Sequence, residues 1–253
     1  IVDPAPGAAD VATRYETQHF DSIPSMVEQA RPQGVIVATP TELHLDTVLQ
    51  VLGAGVHVLV EKPIAATVEE FGGLHGLLAN AGTAGLGWLH ELSAEDWRFV
   101  LGVNLDGVFF CCKHALPHLM EGGGGSIVAT SSIAGSVAGA GGSAVSYTVS
   151  KFGVIGMMRQ IAVDYGQYGI RANAIQPAGV EDSNLGRHAA EDRERSGSTT
   201  PPERMPRPRP WLPIRRAGNA RDEYGATVAF LLSDDAGFIT GAQLPVDGGY
   251  LST

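Results

Sequence analysis

The sequence predicts a Rossmann-like α/β fold, a doubly wound parallel sheet in three layers, on three observations. Short apolar runs of strand length alternate with longer amphipathic runs along the chain. Glycine, at 33 of 253 residues, gathers at the junctions between them. There is no internal repeat, and 44% hydrophobic content is enough to bury a sizeable core.

The elements follow in order. "IV" reads as a strand ending at Asp3, "AADVATRYE" and "IPSMVEQA" as helices, the second with Pro24 in its first turn, and "GVIVATP" as a strand. Helix "LHLDTVLQVL", closed by Gly53 and Gly55, leads to strand "VHVLVE". From residue 71 onward the strands are "GLLANAG", "GSIVATSS", "IRANAIQPAG" and "FITGAQLPVDGG". Three longer helices lie between them: one opened by the capping box of Ser93 and Asp96, "SYTVSKFGVIGMMRQIAVDYG", and "NARDEYGATVAFLLS", which Asn219 can cap. The proline-rich stretch Arg187 to Arg221 cannot be one helix and reads as a lid over a site. Its nine arginines suit either an anionic substrate or a solvated loop.

Composition narrows the function classes. A net charge of −10 repels a phosphate backbone, so nucleic acid is not an expected partner. No apolar run approaches the roughly 18 residues that span a bilayer, and the chain start lacks the regions of a signal peptide. The two cysteines, Cys111 and Cys112, are adjacent, which suits a reducing, cytoplasmic location. His114 and His118 share a helix face, but no third ligand accompanies them; no metal is expected, and a helix-surface or subunit-interface role is.

The chemistry concentrates in "SSIAG" and "SYTVSK". Tyr147 and Lys151 are four residues apart and share a helix face. A phenol with a pKa of about 10 is a poor base at neutral pH, but a nearby ammonium favours the phenolate. So tuned, Tyr147 can exchange a proton with an alcohol or ketone oxygen, which Ser132 can also hydrogen-bond.

These residues, with "ANAG", Asn104 in "GVNLDGVFF", "QPAGV" and "GAQLPVDGG" in the same order, make residues 71–253 resemble the short-chain dehydrogenase/reductase family. The resemblance implies hydride transfer between NAD(P) and a secondary alcohol or ketone. It makes Tyr147 the general acid/base and gives Lys151 the nicotinamide ribose. Ser132 would polarise the carbonyl, and Asn104 would position the water of a proton relay. Asn80, Ala81 and Gly82 would line the adenosine side, and Pro177, Gly179 and Val180 would meet the carboxamide. It also implies a homodimer or homotetramer, through the helices carrying "VFFCCKHALPHLM" and "SYTVSK" and the terminal "PVDGGYLST". Two departures remove no reacting group: a glycine-rich stretch before Tyr147, and "PAG" where the family usually has Pro-Gly.

A larger departure lies upstream, where the family's opening glycine-rich turn is missing. Residues 1–70 instead resemble part of the nucleotide-binding domain of the glucose-fructose oxidoreductase/inositol dehydrogenase family, through "VDP", "VIVATPTELH" and "VLVEKP". The chain thus reads as a chimera joined near "VEEFGG", its two parts packed as one domain. In that family the lysine of "EKP", here Lys62, helps bind cofactor and substrate, and Asp3 corresponds to its ribose acid. Glu61 falls 22 residues after Thr39, near the spacing at which an acid meets the adenosine ribose. A helix N-terminus after "ATPT", with Thr39 and Thr41, could hold the pyrophosphate. Either acid disfavours a 2′-phosphate, so NAD is expected over NADP. The alternative is a catalytically silent chimera that keeps a nucleotide-binding or structural role.

Overall fold

The structure, a computed structural model, describes residues 2–3, 8–14, 17–32, 34–37, 47, 50, 57–60, 64, 68, 71–85, 87–138, 145–181, 183, 185 and 212–252. The chain divides into two compact units, Ile1–Glu70 and Phe71–Thr253.

In the first unit, α1 (Ala8–Arg14) and α2 (Ile23–Ala30) precede β1 (Gly34–Val37) and β2 (His57–Val60). Ser22 caps α2 by accepting from Ser25 N at 3.3 Å, and Pro24 occupies the first turn, where its missing N–H costs nothing. The strands pair in parallel, Gly34 opposite His57 through Val37 opposite Val60. Ala8, Ala12, Phe20 and Met26 are buried. Of the strand expected at Ile1 and Val2, Val2 forms a parallel bridge to Phe20, while Ile1 lies outside the described residues. The turn and helix expected after β1 lie outside the described residues, save Thr47 and Gln50, which are helical.

The second unit holds a four-stranded parallel sheet in the order β3 (Gly76–Ala79), β4 (Gly125–Thr130), β5 (Ile170–Pro177), β6 (Gln243–Val246). Its helices are α3 (Ala94–Leu101), α4 (Gly107–Glu121), α5 (Val145–Tyr165) and α6 (Ala226–Leu232). Helices α4 and α5 pack on β3, β4 and β5, and α6 packs on β3 and β4. The four central residues of β4 are buried, as in a strand covered on both faces. On one face Val128 and Ile175 meet Leu231 and Ala236. Ser126 Oγ and the Arg171 guanidinium both donate to Leu231 O, at 2.7 and 2.8 Å, satisfying a carbonyl that the end of α6 leaves open. The strand expected over 238–249 is confined to β6, and the expected helix from Asn219 begins as a π-helical turn, Ala220–Gly225.

Helix α3 opens as its sequence predicts: Ser93 Oγ accepts from Asp96 N at 3.0 Å and donates to Asp96 Oδ2 at 2.6 Å. A π-helical turn, Gly102–Asp106, joins α3 to α4, giving one helical run, Ala94–Glu121. By length and composition that run could cross a bilayer, which corrects the expectation that no segment approaches this. It lies on β3 and β4 and buries Asn104 in its middle. Because all four strands are parallel, Asn80, Ser131, Ala178 and Asp247 follow their C-terminal ends along one edge. That edge is where open α/β sheets place ligands.

Candidate active site

The site is built where β4 ends. Ser131 N donates to Ile175 O at 2.9 Å and Ser131 Oγ to Lys151 O at 2.8 Å, tying the strand end to β5 and α5. Ser132, extended at φ −169° and ψ 164°, then caps the short 3₁₀ turn Ile133–Gly135, its Oγ accepting from Ala134 N at 3.1 Å. Gln176 Nε2 donates to Ser132 O at 3.1 Å and to Ser136 Oγ at 2.6 Å. The serine therefore sits on a rigid, buried support.

Helix α5 brings Tyr147 and Lys151 to this turn, with Lys151 Nζ 5.6 Å from the Tyr147 ring centroid. The Ser132 side chain comes close enough to the Tyr147 hydroxyl to influence its ionisation. Burial raises the Tyr147 pKa above its ordinary value, and Ser132 lowers it part of the way back. This reverses the expected direction: burial is the largest cause at Tyr147, and burial also lowers the Lys151 pKa, to about 8. Lys151 is only 3% exposed and donates to Thr130 O at 2.9 Å. An ammonium has three donors, so two remain uncommitted among the described residues.

Asn104 is fully buried in its π-helical turn, a distortion often found at functional sites. Its Oδ1 accepts from Thr83 N at 2.7 Å, and its Nδ2 donates to Thr83 O at 2.9 Å and to Ser150 Oγ at 3.1 Å. The side chain thus fastens the loop after β3 to α5. In that loop Asn80 Oδ1 accepts from Thr130 Oγ1 at 2.8 Å, and Asn80, Ala81 and Gly82 are exposed. A Cβ on Gly82 would lie 3.3 Å from Lys151 Nζ and 3.4 Å from Asn104 Oδ1. The missing side chain leaves a cradle beside a buried ammonium with spare donors, which fits the hydroxyls and phosphates of a dinucleotide.

Past β5, Gly218 N donates to Gly179 O and Glu181 N donates to Gly218 O, both at 2.9 Å. Neither bond uses the Val180 amide. Pro177 ends β5, and Gly179 and Val180 follow it past the strand's C-terminal end.

The other expected residues fall elsewhere. Thr39, Thr41, Glu61 and Lys62 lie outside the described residues. Asp3 is exposed in the first unit, its backbone O 3.0 Å from His19 Nε2. His114 is exposed, and His118 Nδ1 is 3.8 Å from Glu121 Oε2; no group of three metal-capable side chains occurs among the described residues. Both cysteines are free, with burial pushing the Cys112 thiol up to about 12. Of the arginines expected in the lid, Arg216 is paired with Glu223 through contacts of 2.7 and 2.6 Å. Thr83, Thr130, Ser131, Ser150 and Gln176 support the site but carry no sequence signal of their own.

The parallel sheet, the Ser132–Tyr147–Lys151 cluster and the cradle beside it define a dinucleotide-dependent oxidoreductase. The family model described as enoyl-(acyl carrier protein) reductase matches residues 57–251, and the chain belongs to the short-chain dehydrogenase/reductase family. A second model, described as an oxidoreductase family with an NAD-binding Rossmann fold, matches residues 1–84. The chain is 34% identical to meso-2,3-butanediol dehydrogenase of Serratia marcescens over 245 residues, covering 97% of this chain and 85% of that protein. It is 40% identical to cis-4-hydroxycyclohexanecarboxylate dehydrogenase of Sinomonas cyclohexanicum over 195 residues, 75% of this chain and 72% of that one. The solved structure of NAD⁺-bound xylitol dehydrogenase resembles it with a TM-score of 0.69 and 27% identity, over 85% of this chain and 88% of that chain. The protein is a short-chain-type NAD(P)-dependent oxidoreductase of secondary alcohols and ketones.

Proposed function

We propose that the protein oxidises a small secondary alcohol or diol, and reduces the matching ketone, with NAD in preference to NADP. The observation that carries this is Tyr147 gathered with Ser132 beside the buried Lys151, whose Nζ lies 5.6 Å from the Tyr147 ring centroid. A nicotinamide, when bound, would supply the hydride acceptor or donor for the carbinol carbon. Tyr147 takes the hydroxyl proton as the C–O bond becomes C=O, and gives it back in reduction. Ser132 holds the reacting oxygen against Tyr147. Lys151 turns its uncommitted donors to the nicotinamide ribose, Asn80, Ala81 and Gly82 line the adenosine side, and Pro177, Gly179 and Val180 meet the carboxamide. Asn104 keeps the β3 loop in place and with it the proton path.

Asp3, Glu61, Thr39 and Thr41 remain the proposed holders of the ribose and pyrophosphate, and the two carboxylates favour NAD. The chain itself is read as a chimera, supported by two family models that overlap only at residues 57–84. It works in the cytoplasm as a homodimer or homotetramer. Exposed Phe109 and Phe110 on α4 and Phe152 and Val163 on α5 support assembly, and light scattering measures it.

The test is calorimetric titration with NAD⁺, NADH, NADP⁺ and NADPH, followed by nicotinamide absorbance with secondary alcohols. NAD(H) binding with turnover is expected. Binding of neither cofactor at millimolar concentration would establish the silent chimera, and tighter NADPH binding would show the ribose acid misplaced.

A further inference from the structure

Gln176, the next-to-last residue of β5, is a buried amide on a strand face that is otherwise small and apolar. Ala172 and Ala174 precede it on that face, and all three are 0% exposed. Its Nε2 donates to Ser132 O at 3.1 Å and to Ser136 Oγ at 2.6 Å, which uses both amide hydrogens. Its Oε1 is buried without a hydrogen-bond partner among the described residues.

The bond to Ser132 satisfies nothing that lacks a partner, because Ser132 O already accepts from Gly135 N at 2.9 Å. Holding the amide there leaves Oε1 desolvated, a cost that an apolar side chain of the same length would avoid. A polar group kept against stability at the ligand-binding edge points to a role in positioning.

Its place in the fold says what is positioned. The β4–β5 ladder closes with Thr130 opposite Ile175, and the bond from Ser131 N to Ile175 O, at 2.9 Å, is the last backbone bond between the two segments among the described residues. Ser132 is the first residue beyond it. There the Gln176 side chain takes over from the backbone: it grips the Ser132 carbonyl at one end of the 3₁₀ turn and Ser136 Oγ at the other. Ser132 Oγ accepts from Ala134 N at 3.1 Å inside that turn, so its direction follows the turn's.

We propose that Gln176 is a positioning residue for the reaction: through the Ser132 carbonyl and Ser136 it fixes the turn that sets the Ser132 hydroxyl against that of Tyr147. This rests on the role of Ser132 proposed above.

The test uses Gln176→Met, Ser132→Ala and the double variant. Gln176→Met keeps the side-chain length and leaves Ser132 O its bond from Gly135 N. The rise of phenolate ultraviolet absorbance with pH, taken as the difference between each protein and its Tyr147→Phe counterpart, follows the Tyr147 proton without turnover. Since Ser132 lowers the Tyr147 pKa, Gln176→Met should move this titration to higher pH, as Ser132→Ala does. The double variant should move it no further than Ser132→Ala alone. In turnover, Gln176→Met should lower kcat about 10- to 100-fold with KM nearly unchanged, the scale on which a misplaced group slows a reaction. Ser136→Ala, at a half-buried position, loses only the second anchor; it should move the titration the same way by less, and it decides the matter if Gln176→Met does not fold. A titration that moves in Ser132→Ala but stays in place in Gln176→Met, or in Ser136→Ala where that variant decides, overturns the proposal. So do additive shifts in the double variant. A titration unmoved by Ser132→Ala overturns it together with the role of Ser132, whereas a wild type without turnover refutes the proposed function and leaves the titration to decide.

Discussion

Asn104 and Thr83 hold each other by a reciprocal pair of hydrogen bonds, Thr83 N to Asn104 Oδ1 at 2.7 Å and Asn104 Nδ2 to Thr83 O at 2.9 Å. A side-chain amide here replaces a strand neighbour, pairing with the backbone of the loop that follows β3. The third bond, to Ser150 Oγ, carries this order to the residue beside Lys151. Loop and general-acid helix therefore share one buried clasp.

Removing the clasp should cost both stability and cofactor binding. Asn104→Ala leaves a half-buried Thr83 N–H without its acceptor, a loss of about 1 to 3 kcal/mol. Urea unfolding should show that loss, and calorimetry should show NAD⁺ binding weakened. A variant as stable as wild type would mean the loop is held by something else.

Tyr147→Phe should remove turnover by at least ~100-fold, the contribution of a positioned general acid or base. The far-ultraviolet circular dichroism and the NAD⁺ affinity should be kept. Retained activity would require another proton carrier.

Burial holds the Tyr147 hydroxyl protonated at neutral pH, so reduction finds it ready while oxidation needs it ionised. Oxidation should therefore quicken as pH rises into the alkaline range. Ser132 lowers the tyrosine pKa; Ser132→Ala should raise it and move the oxidation profile to higher pH, besides slowing both directions. A profile that stays in place under Ser132→Ala would detach the serine from the phenol.

Gly85 and Ser146 make an opposed pair. A Cβ on Gly85 would collide with Ser146 Oγ and lie 3.3 Å from Tyr147 N, while Ser146 Oγ is buried without a hydrogen-bond partner. Gly85→Ala should destabilise by about 1 to 3 kcal/mol. Ser146→Ala removes an unsatisfied hydroxyl and should be neutral or stabilising. Adding it to Gly85→Ala should recover part of the loss, and thermal melts of the three variants decide this.

Legibility in the sequence followed locality. Capping at Ser93 and Asn219, the parallel strands and the face shared by Tyr147 and Lys151 all come from spacing within one turn or one strand, and all were readable. The direction of the Tyr147 pKa was not, because helical spacing predicts a neighbouring charge but not the burial that is the largest cause. Nor was the role of Asn104: its partners lie 21 and 46 residues away and meet it only once the sheet has formed. Gln176 likewise reaches Ser132, 44 residues away, only through the fold. The helical run 94–121 was misjudged because its polar residues, Asn104 among them, break the apolar string in sequence without breaking the helix.

Lys151 should leave its mark on stability against pH. Its pKa is about 8 in the folded protein, below the ordinary 10.5. Between those values the unfolded chain binds a proton that the folded chain does not, so stability rises with pH across that window. Below about pH 8 the full cost of burying the charge is present; by 10.5 it is gone. Tyr147, shifted upward, acts the other way, but only above its ordinary 10.0. Lys151→Met keeps the buried stem and removes the titration. Urea midpoints of wild type should therefore climb relative to Lys151→Met from pH 8 to pH 10, by at most about 3 kcal/mol. Parallel curves for the two proteins would show that the ammonium is not desolvated as its burial implies, and would remove the basis for its spare donors facing the cofactor.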